Sequence, residues 1–154
     1  KERRALIEEA IKTGREDGLE VQVLESKGRA VFATKPFRRG DFVCEYYGEM
    51  IGYQKAKERE EAYMKDPNIG CYMYFFEYKS IRYCVDATAE SDRLGRLLNH
   101  SKLDGNCQTK IFEINSKPHL IIVAARDILA GEELTYDYGD RNKNSLESHP
   151  WLAT

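Results

Sequence analysis

Three polar side chains in a row, Asn99, His100 and Ser101, close the apolar run Leu94-Gly95-Arg96-Leu97-Leu98, so a packed segment ends in a cluster of hydrogen-bonding groups. Such clusters mark sites more often than surfaces. Downstream, Gly131-Glu132-Glu133-Leu134-Thr135-Tyr136-Asp137-Tyr138-Gly139 sets two tyrosines two residues apart. A strand sends both to one face, which puts two phenol hydroxyls on one wall. Tyr46, Tyr72 and Tyr74 are also expected in strands. For each ring taken singly, core packing with a partnered hydroxyl is the ordinary reading. Taken with Asn99 and His100, the five suit a narrow aromatic channel for a cationic chain. Taken alone, His100 reads first as a satisfied core histidine, and no serine, cysteine or carboxylate stands at triad spacing from it.

Ser26-Lys27-Gly28-Arg29 lies between two β-prone runs. It is either an ordinary hairpin turn or a glycine that lets the backbone approach a ligand closely, with Lys27 and Arg29 beside it. It is neither a GxGxxG nor a Walker loop, so it does not indicate a dinucleotide or a triphosphate. Cys44, Cys71, Cys84 and Cys107 stand singly, without the close pairs a zinc site uses, so reduced thiols are expected and no metal. His149-Pro150-Trp151 is either a terminal cap or a lid, the lone indole offering a flat face to an adenine-like ring.

The elements that must position these groups follow from patterning. At 154 residues, 42% hydrophobic and 32% charged, the chain is expected to be one globular domain with a real core. Its net charge of -2 argues against a broad nucleic-acid face, and no run approaches the length of a membrane span. The chain begins at Lys1, not Met, and reads as a domain cut from a longer protein, with targeting information outside it.

Helical spacing predicts an amphipathic helix over 1–13, stopped by Gly14. Strands are expected at 19–24, 29–34 and 42–47, then a solvated helix over 52–66 that Asp66-Pro67 ends. Residues 72–78 and 81–85 read as a hairpin about Lys79-Ser80. A short helix over 91–98 leads into the Asn99 cluster. Residues 109–114 and 119–125 read as a second hairpin about Asn115-Ser116-Lys117-Pro118. A strand over 134–138 and one helical turn over 142–148 complete a mainly β chain with small peripheral helices.

In combination, the Gly28 loop, Arg96-Leu97-Leu98-Asn99-His100-Ser101 and the 131–139 stretch resemble the SET-domain protein lysine methyltransferases. The order and spacing of three separated motifs carry that resemblance, and it covers nearly the whole chain. Gly70-Cys71-Tyr72-Met73-Tyr74, Asn106-Cys107-Gln108-Thr109-Lys110 and His149-Pro150-Trp151 are similar to the branch that monomethylates lysine-20 of histone H4.

The resemblance implies several small curved sheets around a C-terminal pseudoknot, with a core over 19–141, an N-flanking helix segment over 1–18 and a lid segment over 142–154. It implies S-adenosyl-L-methionine lying against Lys27, Gly28 and Arg29, contacted by Tyr72, Asn99 and His100, with Trp151 over the adenine. Tyr138 is then the catalytic tyrosine, Tyr46 holds the lysine nitrogen, and Tyr136 restricts the product to one methyl. Cys71, Tyr46, Tyr136 and His149 are the implied substrate contacts. Many relatives carry a three-cysteine zinc segment after the core, and no cysteine follows Cys107 here.

The implied partners are the histone H4 tail and the nucleosome, met by a monomer in nuclear chromatin, with Lys1, Arg3 and Arg4 available to nucleosomal DNA. Leu103-Asp104-Gly105 looks one residue longer than the family pattern and adds an acid near Asn99. The alternative is a noncatalytic methyl-lysine reader, with Tyr46, Tyr72 and Tyr138 as a cage. The Gly28 and Asn99-His100 elements speak against it, because a reader needs no cofactor pocket.

Overall fold

A computed structural model describes residues 2–25, 28–70 and 72–138. The first element, α1 (Glu2–Thr13), carries Ile7, Ala10 and Ile11 at helical spacing. Ile7 and Ile11 pack against Ile114, Ile121 and Val123, which hold the helix to a sheet. Gly14, at φ +66°, ends it: the Gly14 N–H donates to the Ile11 carbonyl and the Arg15 N–H to that of Ala10.

Next come β1 (Leu19–Leu24) and β2 (Gly28–Ala33), an antiparallel pair whose register runs from Leu19 opposite Ala33 to Leu24 opposite Gly28. The strands on either side of the Gly28 loop therefore pair as those of a hairpin do, while Ser26 and Lys27 lie outside the described residues. β1 does not bury one face: Val23 is 80% exposed, while Ala30, Val31 and Ala33 of β2 are buried. Among the described residues β1 pairs only with β2, and no other strand lies along its outer edge.

Two three-stranded sheets follow. One joins β3 (Phe42–Glu45), β9 (Lys117–Ala124) and β8 (Cys107–Ile114); the other joins β4 (Glu49–Gly52), β6 (Ile81–Asp86) and β5 (Met73–Tyr78). The helix α2 (Tyr53–Met64) leaves β4 directly, and its buried residue is Ala56, so it is as solvated as its charges predict. Lys79-Ser80 and Asn115-Ser116 have φ of 50° and 65°, and 50° and 64°. Two successive left-handed residues make the tight turn that matches strand twist.

The second hairpin therefore turns in two residues, not the expected four, and Lys117 and Pro118 belong to β9. Proline is tolerated there because β3 meets β9 only from Ile121 to Val123, so its missing N–H is owed to no third strand.

The expected helix over 91–98 is only one 3-10 turn, Gly95–Leu97. Leu94 gives its N–H to the Glu16 carboxylate at 2.8 Å, and Leu98 is already extended at ψ 132°. The last pair, β7 (Asn99–His100) and β10 (Thr135–Tyr136), is parallel, with Thr135 opposite Asn99 and Tyr136 opposite His100. Of the five tyrosines expected in strands, only Tyr74 and Tyr136 lie within one; Tyr46, Tyr72 and Tyr138 flank strand ends.

The largest buried cluster takes residues from every sheet, among them Val31, Ile122, Val85 and Tyr136. Among the described residues no helix is long and apolar enough to cross a membrane.

Candidate active site

The site is assembled where β7 and β10 run side by side. Leu98 is fully buried and extended, so the chain leaves the core straight into Asn99 and His100. The pairing continues past β7, as the Ser101 N–H donates to the Tyr136 carbonyl at 3.0 Å. The Tyr138 N–H donates to His100 Nδ1 at 3.0 Å, and the two rings lie 5.1 Å apart. A ring nitrogen that accepts an N–H carries no proton of its own, so the neutral ring is protonated at Nε2. Asp137 Oδ1 stands 3.9 Å from the same nitrogen, beyond hydrogen-bond reach.

The Tyr138 hydroxyl donates to the Leu98 carbonyl at 2.6 Å. Tyr136 is fully buried, with its ring 5.3 Å from that of Tyr138. Tyr46 is buried in the same cluster, its ring 5.6 Å from that of Tyr74. Gly95 fixes this end of β3: a Cβ there would stand 2.4 Å from the Glu45 carbonyl oxygen and 3.2 Å from Tyr46 Cα. Two backbones touch, and only glycine leaves room.

Tyr72 is held from two directions. Its carbonyl accepts from the Ala87 N–H at 2.7 Å, and its own N–H donates to Thr88 Oγ1 at 3.2 Å. The Arg96 guanidinium lies 4.0 Å from its ring centroid. Arg96 itself is 2% exposed, with Nε on the Ala87 carbonyl, Nη2 on the Thr88 carbonyl and Nη1 on Glu90. Arg29 grips the same carboxylate with both Nη atoms, at 3.2 and 3.0 Å. The two guanidiniums, Arg29 foremost, hold the Glu90 carboxyl below its ordinary pKa.

A cleft opens here, lined by Arg29, Tyr72, Arg96, Leu97, Asn99 and Tyr138. Gly28 begins β2 one residue before Arg29, at φ +76°, with nothing among the described residues within 4 Å of the point where a side chain would start. Four of the expected site residues thus share one cleft, with Gly28 and His100 adjoining them and Tyr136 and Tyr46 in the buried cluster beneath. Lys27, Cys71, His149 and Trp151 lie outside the described residues. Asp104 is exposed in the turn after the site, its N–H on Ser101 Oγ.

Arg96, Glu90 and Glu133 carry parts of this arrangement that their spacing did not announce. For Arg96 a signal exists: a charge inside an apolar run must find acceptors. Cys44 and Cys107 are poorly suited as nucleophiles: burial pushes the Cys107 thiol up to about 12 and that of Cys44 well above its ordinary value. Phenol hydroxyls and backbone carbonyls around a cleft suit the alignment of two reactants better than proton transfer by a charged base.

Residues 28–139 match the SET domain family, and the chain belongs to it. It is similar to the N-lysine methyltransferase KMT5A-A of Danio rerio, 61% identical over 146 residues, which are 95% of this chain and 42% of that protein. It is likewise similar to the histone-lysine N-methyltransferase Set8 of Drosophila melanogaster, 53% identical over 147 residues, or 96% of this chain and 21% of that one. The crystal structure of CpSET8 from Cryptosporidium matches with a TM-score of 0.83 at 40% identity, covering 91% of this chain and 66% of that one. The chain spans less than half the length of these two curated relatives.

Proposed function

We propose that this chain is the catalytic domain of an S-adenosylmethionine-dependent protein-lysine methyltransferase that adds one methyl group to lysine-20 of histone H4 in nucleosomes. The domain acts as a monomer on nuclear chromatin, with its core over 19–141 and flanking segments over 1–18 and 142–154. The observation that carries the reading is the parallel pairing of Asn99-His100 with Thr135-Tyr136, beside a cleft that Arg29, Tyr72 and Tyr138 share. The curated names of the relatives, lysine methyltransferases, support it.

The residues present fit the cofactor. The open space at Gly28 admits a ligand against the backbone, and Asn99 and Tyr72 add polar and aromatic contacts. Lys27, Gly28, Arg29, Tyr72, Asn99, His100 and Trp151 would hold it. S-adenosylmethionine, when bound, supplies a methyl group activated by its sulfonium.

What the chain must supply is a neutral, aligned amine. An ordinary lysine, with a pKa near 10.4, costs about 4.6 kcal/mol to deprotonate at neutral pH. A dry, phenol-lined site disfavours the ammonium and reduces that cost, so no dedicated base is required. Tyr46 holds the nitrogen by its hydroxyl, Tyr138 with the Leu98 carbonyl orients the reacting groups, and Tyr136 limits the room beside them. By the family resemblance, Cys71 and His149 would contact the substrate.

The test is incubation with labelled S-adenosylmethionine and recombinant nucleosomes, read by mass spectrometry. One methyl on lysine-20 of histone H4 is the expected product. Label that persists when that lysine is replaced by alanine overturns the target. Binding of methylated histone H4 peptide without any transfer favours the reader.

A further inference from the structure

Asn99 offers two N–H groups and one carbonyl from its side chain. Nδ2 lies 3.1 Å from the Arg29 carbonyl oxygen and 2.9 Å from Glu133 Oε2. Neither a carbonyl nor a carboxylate can donate, so the amide nitrogen has to face them both; turned over, its oxygen would meet two acceptors. The oxygen is then the amide atom left for the cleft that Asn99 lines.

The Arg29 carbonyl alone engages one N–H, and Glu133 engages the second. Glu133 is not itself on the cleft, yet its backbone is pinned. Its carbonyl accepts from Asn106 Nδ2 at 2.8 Å, it bridges to Phe32, and the next N–H, of Leu134, donates to Val31 at 2.8 Å. Two residues on, Thr135 pairs with Asn99. The chain crossing therefore carries one specific carboxylate to one specific amide.

We infer that Glu133 is a positioning residue that fixes the Asn99 amide with its oxygen toward the cleft, so that cofactor affinity depends on a side chain the cofactor does not touch. The inference rests on the cofactor reading above. It separates binding from chemistry: losing Glu133 frees the amide to turn, which weakens a contact to the cofactor and leaves Tyr136 and Tyr138 in place.

The experiment titrates S-adenosylhomocysteine calorimetrically into the chain and its Glu133→Met, Glu133→Ala and Glu133→Gln variants. Methionine keeps the bulk and removes the acceptor; glutamine keeps an acceptor. Met and Ala should each weaken binding about tenfold, the size of one charge-assisted hydrogen bond. Gln should stay within about threefold, and turnover at saturating cofactor should hold in all three within about twofold. In an Asn99→Ala background Glu133→Met should add nothing, since a positioning residue has then nothing to position.

A second readout needs no cofactor. The side-chain amide signal of Asn99 in the nitrogen-proton spectrum should move in Met and Ala and stay near its place in Gln. Gln binding as weakly as Met, an undiminished loss in the Asn99→Ala background, or an unmoved amide signal each overturns the role of Glu133. If the unaltered chain takes up no S-adenosylhomocysteine, the functional reading falls, and the amide signal still decides whether Glu133 holds Asn99.

Discussion

Arg96 and Tyr138 solve the same problem at the residue scale, a polar group that must end inside a packed segment. Arg96 meets it with two backbone carbonyls, a carboxylate and a ring face; Tyr138 meets it with the Leu98 carbonyl at 2.6 Å. Tyr138→Phe keeps the ring contacts with His100 and Tyr136 and removes the hydroxyl alone. Single turnover should fall at least about a hundredfold, the scale of a lost alignment, while S-adenosylhomocysteine affinity changes less than about threefold. An unchanged single-turnover rate removes Tyr138 from the chemistry.

Tyr136 is fully buried, so Tyr136→Phe opens a space where the hydroxyl was. Prolonged turnover should then yield dimethyl-lysine, seen as a second 14-dalton step in the intact mass, roughly the mass of one methylene; a purely monomethyl product refutes the assignment. The spacing of these two tyrosines was informative: their rings do adjoin, although the strand ends at Tyr136. Tyr46 was readable as an aromatic near the site. Its place was not, because that is set by a backbone contact to Gly95, far along the chain.

Elements were legible where local chemistry decides them and lost where pairing does. Both two-residue turns sit between β-prone runs, and α1 and α2 carry helical patterns. Nothing in Glu49–Gly52 marks a strand; it becomes one by lying opposite Tyr83–Asp86. The 91–98 run looked helical until Glu16, from another segment, took the Leu94 N–H.

Gly95→Ala tests the joint between the 3-10 turn and β3. The added methyl meets the Glu45–Tyr46 backbone, so overpacking should cost about 1 to 3 kcal/mol in urea unfolding, with turnover falling more than cofactor affinity because Tyr46 is displaced. A variant as stable and as active as the parent refutes the contact.

Asp86 tests the joint between α2 and β6. Its carboxylate accepts from Tyr63 at 2.6 Å, from Arg59 at 3.0 Å and from the Thr88 N–H at 3.0 Å. Burial alone would raise its pKa; the donors, Tyr63 and Thr88 before Arg59, outweigh burial and hold it below the ordinary value. A carboxyl lowered on folding stabilises above its unfolded pKa, near 3.9, and loses that contribution as pH falls through the folded value. Asp86→Asn should therefore melt below the parent at neutral pH, with the gap closing as the pH is taken below about 4. A gap that persists unchanged into acid assigns the loss to shape and not to charge.

At the scale of the whole molecule, the site exists because three distant stretches meet: β2, the Asn99 segment and the 133–138 segment. Periodicity does not show such a meeting, since parallel pairing of two short strands leaves no local trace; only the joint presence of the three motifs pointed to it. What locks the meeting is Asn106, 1% exposed, whose amide donates to the Glu133 carbonyl at 2.8 Å and accepts the Thr135 N–H at 3.0 Å. One side chain does the work of a neighbouring strand.

Asn106→Ala removes the amide's bonds to the Glu133 carbonyl and to the buried Thr135 N–H, at about 1 to 3 kcal/mol each, a large share of the 5 to 15 kcal/mol that typically holds a domain together. The urea midpoint should drop with the slope unchanged, and S-adenosylhomocysteine affinity should fall with it, because β10 carries the tyrosine wall. If alanine at this position costs less than about 1 kcal/mol, the crossing is held by packing against Leu134 and Tyr136 instead, and the amide is incidental to it.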